Sequence, residues 1–324
     1  MGFYNGLEAG SEIDSYRIDA PVARSGMASI YRATDLRDNR VVALKIPHPD
    51  LEADPILFDR FKREAGIGER LNHPKVMRVY GGEKHSRVYM VMEWCDGQLL
   101  RNILAQGSIP QDRAIRIAIG VLEALEYVHA NGVVHRDLKP ENVMVDDQGE
   151  IKLIDFGIAG DAEARRLTYA NFTAALGTPD YISPEQVRGK RGDGRSDIYS
   201  LGVILYEMLS GKLPFSGPTP MAAMNERLLN FPVPLRVADP SAPPQLQEIL
   251  CRALEKDPRN RYAKAQEFAH DLAHQDQVGV EDRPELRDWQ KRKSQTKRKV
   301  LYYAGLALIP VVILLLMILL AHRR

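Results

Sequence analysis

The sequence predicts an α+β protein of two lobes, a small β-rich one followed by a larger helical one, with a single apolar helix at its C-terminal end. Three observations predict this. Short β-rich runs separated by turn residues fill the region 16–93, helix-period apolar patterns dominate from Ser108 onward, and residues 300–321 carry no charge. The 324 residues are 44% hydrophobic and 27% charged, which suits one large or two modest folded domains and excludes a disordered tail or a small stapled scaffold.

Taken in order, residues 1–15 form a leader that lacks the basic stretch and long apolar run of a secretory signal, and Gly6 stands where a myristoylation pattern requires Ser or Thr. Strands are expected at 16–21, 29–33, 41–46 and 88–93. One helix is expected among them, over 54–71, with Leu57, Phe61, Glu64, Gly68 and Leu71 on one face. The lobes join near Trp94. Ser108, Ile109 and Pro110 open a helix whose Ile115, Ala118, Val121, Leu122 and Leu125 share an apolar face. Another, over about 195–209, is apolar almost all round and stops at Gly211, as a central buried helix does. The folded domain is therefore set at 16–274, with the small lobe over about 16–93, a hinge at 93–96 and the helical lobe at 97–274. A charged juxtamembrane linker occupies 275–299, the apolar run 300–321, and a short tail 322–324.

Lysine and arginine number 44 against 43 acidic residues, a net charge of +1, so no global field attracts nucleic acid and no nucleic-acid partner is expected. Cys95 and Cys251 sit in no CxxC or Cys/His cluster, which argues against a disulfide framework and a structural zinc. The run 300–321 is long enough, at about 1.5 Å per residue, to cross a hydrocarbon core of about 30 Å, and Pro310 within it is tolerated by membranes. Lys291, Arg292, Lys293, Lys297, Arg298 and Lys299 precede it, while only His322, Arg323 and Arg324 follow. By the positive-inside rule the folded part is expected to face the cytoplasm from a single-pass C-terminal anchor in the cytoplasmic (inner) membrane, and no domain is expected on the far side. Membrane lipids are thus an expected partner, through the apolar helix and its basic approach.

The chemistry-bearing residues converge on the cleft between the lobes, where small ligands bind. Val42-Ala43-Leu44-Lys45 comes first. His135-Arg136-Asp137-Leu138-Lys139-Pro140-Glu141-Asn142 follows, then Ile154-Asp155-Phe156-Gly157, Gly177-Thr178-Pro179 and Ser183-Pro184-Glu185. In this combination and order the chain resembles the eukaryotic-type (Hanks-type) serine/threonine protein kinases, in particular the bacterial membrane-anchored branch, over about 260 residues. The Lys-Pro-Glu-Asn ending and Gly177-Thr178 resemble the serine/threonine branch rather than the tyrosine branch. The resemblance implies the bilobal protein-kinase fold, transfer of the γ-phosphoryl group of ATP to Ser or Thr of protein substrates, and Mg2+, with Mn2+ as an alternative, as the metal cofactor.

Phosphoryl transfer spreads negative charge over three oxygens, so the site must supply fixed cations and an in-line nucleophile. Asp155 and Asn142 offer hard oxygen ligands suited to magnesium held together with phosphates. Asp137 is the expected base or orienter of the substrate hydroxyl, and Lys139 neutralises the γ-phosphoryl group. Lys45 lies in an otherwise apolar strand and needs a carboxylate; Glu64 is the acidic residue that the helix face carries inward. The resemblance implies the same pair, with Lys45 also gripping the α- and β-phosphates. It also places Ile30 and Ala43 against the nucleotide, backbone groups of Glu93 and Cys95 on adenine, and Met92 at the rear of the pocket.

The phosphate-covering loop departs from the family pattern. G-x-G-x-x-G becomes Ala23-Arg24-Ser25-Gly26-Met27-Ala28, with all three motif glycines replaced. Ala and Ser are the smallest substitutes, so the expectation is a modified lid that grips ATP less well or closes more slowly. For regulation, Arg136 resembles the arginine that receives an activation-loop phosphate, with Thr168 and Thr173 as acceptors, Thr173 foremost, reached by self-association and trans-autophosphorylation. Thr178 resembles a structural threonine near Asp137 and Lys139. Glu185 is expected to pair with Arg261, and Asp197 to anchor the catalytic-loop backbone. The rival readings are an ATP-binding pseudokinase scaffold at the membrane and a small-molecule phosphotransferase of related fold.

Overall fold

The computed structural model describes residues 7–81, 85–155 and 179–283. The chain forms two units, 1–279 and 280–324; the basic residues 291–299 and the apolar run 300–321 lie outside the described residues. Among the described residues no helix is long and apolar enough to cross a membrane.

The small lobe is a six-stranded antiparallel sheet in the order β1-β2-β3-β4-β6-β5. Its strands are β1 (Glu12–Ile13), β2 (Tyr16–Arg24), β3 (Ala28–Asp35), β4 (Val41–Pro47), β5 (Val79–Tyr80) and β6 (Met90–Glu93). Side chains alternate across a strand, and β4 uses both faces. Val42, Leu44 and Ile46 join Tyr16, Ile18 and Tyr31 in one apolar cluster, whereas Ala43 joins Met90, Met92 and Phe61 in another. Lys45 therefore leaves the sheet on the side of Ala43. β2 runs past Pro21, where the sequence predicts its end, because register shifts between Ile18 and Ala20 and between Pro21 and Ala23 absorb the missing amide donor.

The helix expected over 54–71 is shortened at its C-terminal end and is preceded by a separate short helix that sequence reasoning did not place. α1 (Pro49–Ala53) precedes α2 (Pro55–Gly68), and Asp54 between them is extended at φ −97°, as a residue before proline favours. α2 ends at Gly68, where a Cβ would clash with the Val79 side chain. Leu71 is buried but lies beyond the helix, and the Leu57 side chain is outside the described set.

The large lobe holds α3 (Leu100–Leu104), α4 (Gln111–Ala130), α5 (Pro184–Val187), α6 (Gly194–Ser210), α7 (Pro220–Leu229), α8 (Leu235–Ala238), α9 (Pro244–Ala253) and α10 (Ala265–Ala273). α4 and α6 supply much of its core. Ala118, Val121, Leu122 and Leu125 of α4 are buried with Ile198, Leu201, Ile204, Leu205 and Met208 of α6. The Asp193 carboxylate caps α6 by accepting the Arg195 amide at 2.9 Å, and Gly211 ends it in the left-handed region at φ 67°. A second antiparallel sheet, β7 (Gln98–Leu99), β8 (Val143–Val145) and β9 (Ile151–Leu153), lies across the start of this lobe. The segment 135–142 feeds β8, and Asp155 lies two residues beyond the end of β9, so one short hairpin brings both to the cleft.

Candidate active site

Lys45 occupies the centre of the cleft. Its Nζ donates to Glu64 Oε1 and to Asp155 Oδ1, both at 2.6 Å, and its side chain is 13% exposed. Burial alone would lower its pKa, but the Asp155 and Glu64 carboxylates overrule it and raise the value, so the ammonium stays charged. The Glu64 and Asp155 carboxylates thus converge on one ammonium. Burial, only partly offset by Lys45, pushes Glu64 up. Burial also acts to raise Asp155, but the Lys45 charge holds it below the usual carboxylate range. Asp155 sits at φ 60°, a left-handed conformation uncommon for a residue with a side chain, and that turns its carboxylate from the end of β9 toward Lys45.

The catalytic-loop candidates are assembled beside this group. Lys139 Nζ donates to Asp137 Oδ2 at 2.6 Å. Asn142 Nδ2 donates to the Asp137 carbonyl at 2.8 Å, which leaves its amide oxygen for another partner. Arg136, at φ 64°, is held by its backbone: its amide donates to Asp197 Oδ1 at 2.7 Å and its carbonyl accepts from Gln186 Nε2 at 2.9 Å.

The side chains assigned to the adenine pocket also meet. Ala43 and Met92 are buried in one cluster, and Ile30, Trp94, Cys95 and Ile154 pack against it. Burial and the neighbouring Glu93 push the Cys95 thiol up to about 12, so it remains protonated and unreactive. The loop from Ala23 to Ala28 is closed by Ser25. Its hydroxyl accepts the Met27 and Ala28 amides at 3.2 and 3.0 Å, and the Ser25 amide donates to the Ala28 carbonyl at 2.9 Å. Gly26 has no positive φ, and a Cβ there would meet nothing within 4 Å. Arg24 lies opposite Ser29 at the end of the hairpin.

Two supports underlie the site. The Arg261 guanidinium grips both Glu185 oxygens at 2.8 and 2.7 Å in the interior, and Ser196 Oγ donates to the same carboxylate at 2.6 Å. Arg101 of α3 forms the second, which sequence reasoning missed. It reaches Glu141 at 3.0 Å, Glu207 at 3.1 Å and the Tyr181 hydroxyl, which itself donates to Glu207 at 2.5 Å. Glu207 carried a signal. It is the only acidic residue of α6 beyond the first turn, and needs a partner for the same reason as Lys45. Thr168, Thr173, Thr178, Phe156 and Gly157 lie outside the described residues.

Compared with known proteins, residues 16–273 match a family described as the protein kinase domain. A probable serine/threonine-protein kinase of Streptomyces coelicolor is 41% identical over 263 residues, covering 79% of this chain and 39% of that protein. The serine/threonine-protein kinase PknB of Mycobacterium tuberculosis is 38% identical over 265 residues, covering 80% of this chain and 42% of its own length. The chain thus spans about two fifths of these curated relatives. Among solved structures, the PknI kinase domain of Mycobacterium tuberculosis aligns at a TM-score of 0.65 and 27% identity, over 83% of this chain and all of that one. Rad53 residues 1–466 in complex with AMP-PNP align at 0.63 and 28% identity, over 79% of this chain and 64% of that one.

Proposed function

This chain belongs to the protein kinase domain family, and we propose on that premise that it is a serine/threonine protein kinase, transferring the γ-phosphoryl group of ATP to Ser or Thr side chains of proteins. The observation that carries the reading is the Lys45 ammonium, fixed at 2.6 Å from both Glu64 and Asp155 beside the loop that carries Asp137, Lys139 and Asn142. Held there, Lys45 would grip the α- and β-phosphates. Asp137 would orient the acceptor hydroxyl and take its proton, while Lys139 offsets charge on the transferring group. The named relatives support the choice of Ser and Thr, and the likeness to Rad53 solved with AMP-PNP supports an adenine nucleotide.

Asn142 and Asp155 would hold the divalent cation, Mg2+ in our reading and Mn2+ as its substitute. Both are hard oxygen donors, and among the described residues no group of three His, Cys, Asp or Glu could hold a metal by itself, which suits a cation shared with phosphate oxygens. Such an ion neutralises charge that develops on the phosphates. Autophosphorylation between copies, chiefly at Thr173, would order the activation loop through Arg136. The run 300–321 would anchor the chain in the cytoplasmic membrane with residues 16–274 on the cytoplasmic side.

Incubation with labelled ATP, Mg2+ and a generic basic protein, followed by phosphoamino-acid analysis, tests the reading. Phosphoserine or phosphothreonine is the expected product. Bound nucleotide without transfer, under Mg2+ and Mn2+ alike, would make the protein a nucleotide-binding scaffold instead.

A further inference from the structure

Among the groups the phosphoryl-transfer reading leaves unused, His48 and Ser29 form a buried pair, 5% and 0% exposed. His48 Nε2 and Ser29 Oγ are 3.0 Å apart. Ser29 stands on β3 directly after the phosphate-covering loop, and His48 follows β4. The His48 backbone is engaged at both ends. Its amide donates to the Met27 carbonyl at the loop tip, at 2.8 Å, and its carbonyl accepts the Leu51 and Glu52 amides at 3.0 and 3.2 Å, opening α1. Leu51 of α1 then shares an apolar cluster with Phe61 of α2, the helix that presents Glu64 to Lys45.

One residue thus joins the loop to the helix that sets the Lys45 partner. A hydrogen bond shielded from water is not readily exchanged for solvent, so the joint is stiffer than a surface contact. The loop also lacks the glycines whose backbone freedom would let it settle onto phosphates unaided. We propose that His48, through Ser29 and the Met27 carbonyl, is a positioning residue that sets the phosphate-covering loop at its working height over the nucleotide phosphates and couples that height to α2. This rests on the nucleotide-binding part of the function proposed above.

The test measures affinity of the full chain for Mg-AMP-PNP and, separately, for adenosine, which lacks the phosphates. The variants are His48→Ala, Ser29→Ala, the double variant and His48→Gln, whose amide can reach Ser29. Losing one net hydrogen bond predicts about threefold to tenfold weaker AMP-PNP binding in each single alanine variant. The double variant should be no weaker than His48→Ala, His48→Gln should recover most of the loss, and adenosine affinity should not change. Hydrogen exchange at residues 25–30 of the nucleotide-free protein should quicken in His48→Ala. Equal weakening toward both ligands, no change toward either, or additive losses in the double variant would overturn the proposal while leaving the kinase reading intact. Wild-type protein that binds neither ligand would overturn both.

Discussion

Asp197 accepts the backbone amides of both His135 and Arg136, at 2.9 and 2.7 Å, and lies 2.8 Å from His129 Nε2. One fully buried carboxylate at the start of α6 thereby holds the chain that carries Asp137, including Arg136 in its left-handed conformation. Removing that carboxylate leaves buried amides without an acceptor and a strained residue without its support. Asp197→Ala should therefore lose about 2 kcal/mol or more of stability in urea unfolding, and phosphoryl transfer should fall even where the protein stays folded. Full activity in a folded variant would count against the anchoring role.

Lys45→Met, Asp137→Asn and Asp155→Ala each remove one charge from the centre of the proposed chemistry. Each should lower phosphoryl transfer by about 10²-fold or more, with an unchanged far-ultraviolet circular dichroism spectrum. Residual transfer near the wild-type rate would remove that residue from the site.

The loop offers a sharper contrast. Ser25→Gly deletes a hydroxyl that accepts two amides and should weaken ATP binding, whereas Ala23→Gly deletes only a methyl group and should leave it unchanged or improved. Nucleotide titration of the two variants decides. A Ser25→Gly protein that binds ATP more tightly would mean that backbone freedom outweighs the hydroxyl's contacts.

Burial acts to raise Glu185, but the Arg261 hydrogen bonds and charge, with the Ser196 hydroxyl, hold its carboxyl below the ordinary value of 4.5. The native state then binds fewer protons than the unfolded chain, so this contribution is complete above about pH 4.5 and is lost as the pH falls through the depressed native value. Glu185→Gln should flatten that part of the acid-unfolding profile. Arg261→Ala, which strands a buried carboxylate, should cost about 3–5 kcal/mol at neutral pH.

Mass spectrometry of protein incubated with ATP should find phosphate chiefly on Thr173, and Thr173→Ala should slow phosphorylation of an added substrate. An unmodified Thr173 in fully active enzyme would defeat that assignment.

Much of this site was legible because its chemistry leaves marks on composition. Lys45 betrays itself as a lone cation in an apolar strand, and a helical wheel points Glu64 toward it. The pairing of Glu185 with Arg261 and the anchoring by Asp197 came instead from family resemblance, since residues 76 and 62 positions from their partners leave no local pattern. His48 and Ser29 were illegible for another reason. Neither is unusual where it stands, and only the antiparallel pairing of β3 with β4, which sets Ala28 against Pro47 and Ser29 against Ile46, brings them together. The start of α2 at Pro55 was legible within one residue, whereas the five residues of α1 before it are too few to show an apolar period.

Arg101 joins partners 40, 80 and 106 residues further along the chain, in Glu141, Tyr181 and Glu207. During synthesis, Glu207 is the last of these to leave the ribosome. Until it does, the guanidinium lacks one of its two carboxylates, and the buried Tyr181 hydroxyl lacks the oxygen to which it donates. Contacts that close such long loops are slow to form because their entropy is lost before their energy is gained. The Arg101 cluster can therefore close only after α6 has been made, and a nascent chain stalled before α6 lacks the apolar residues that α6 adds to the core of the helical lobe.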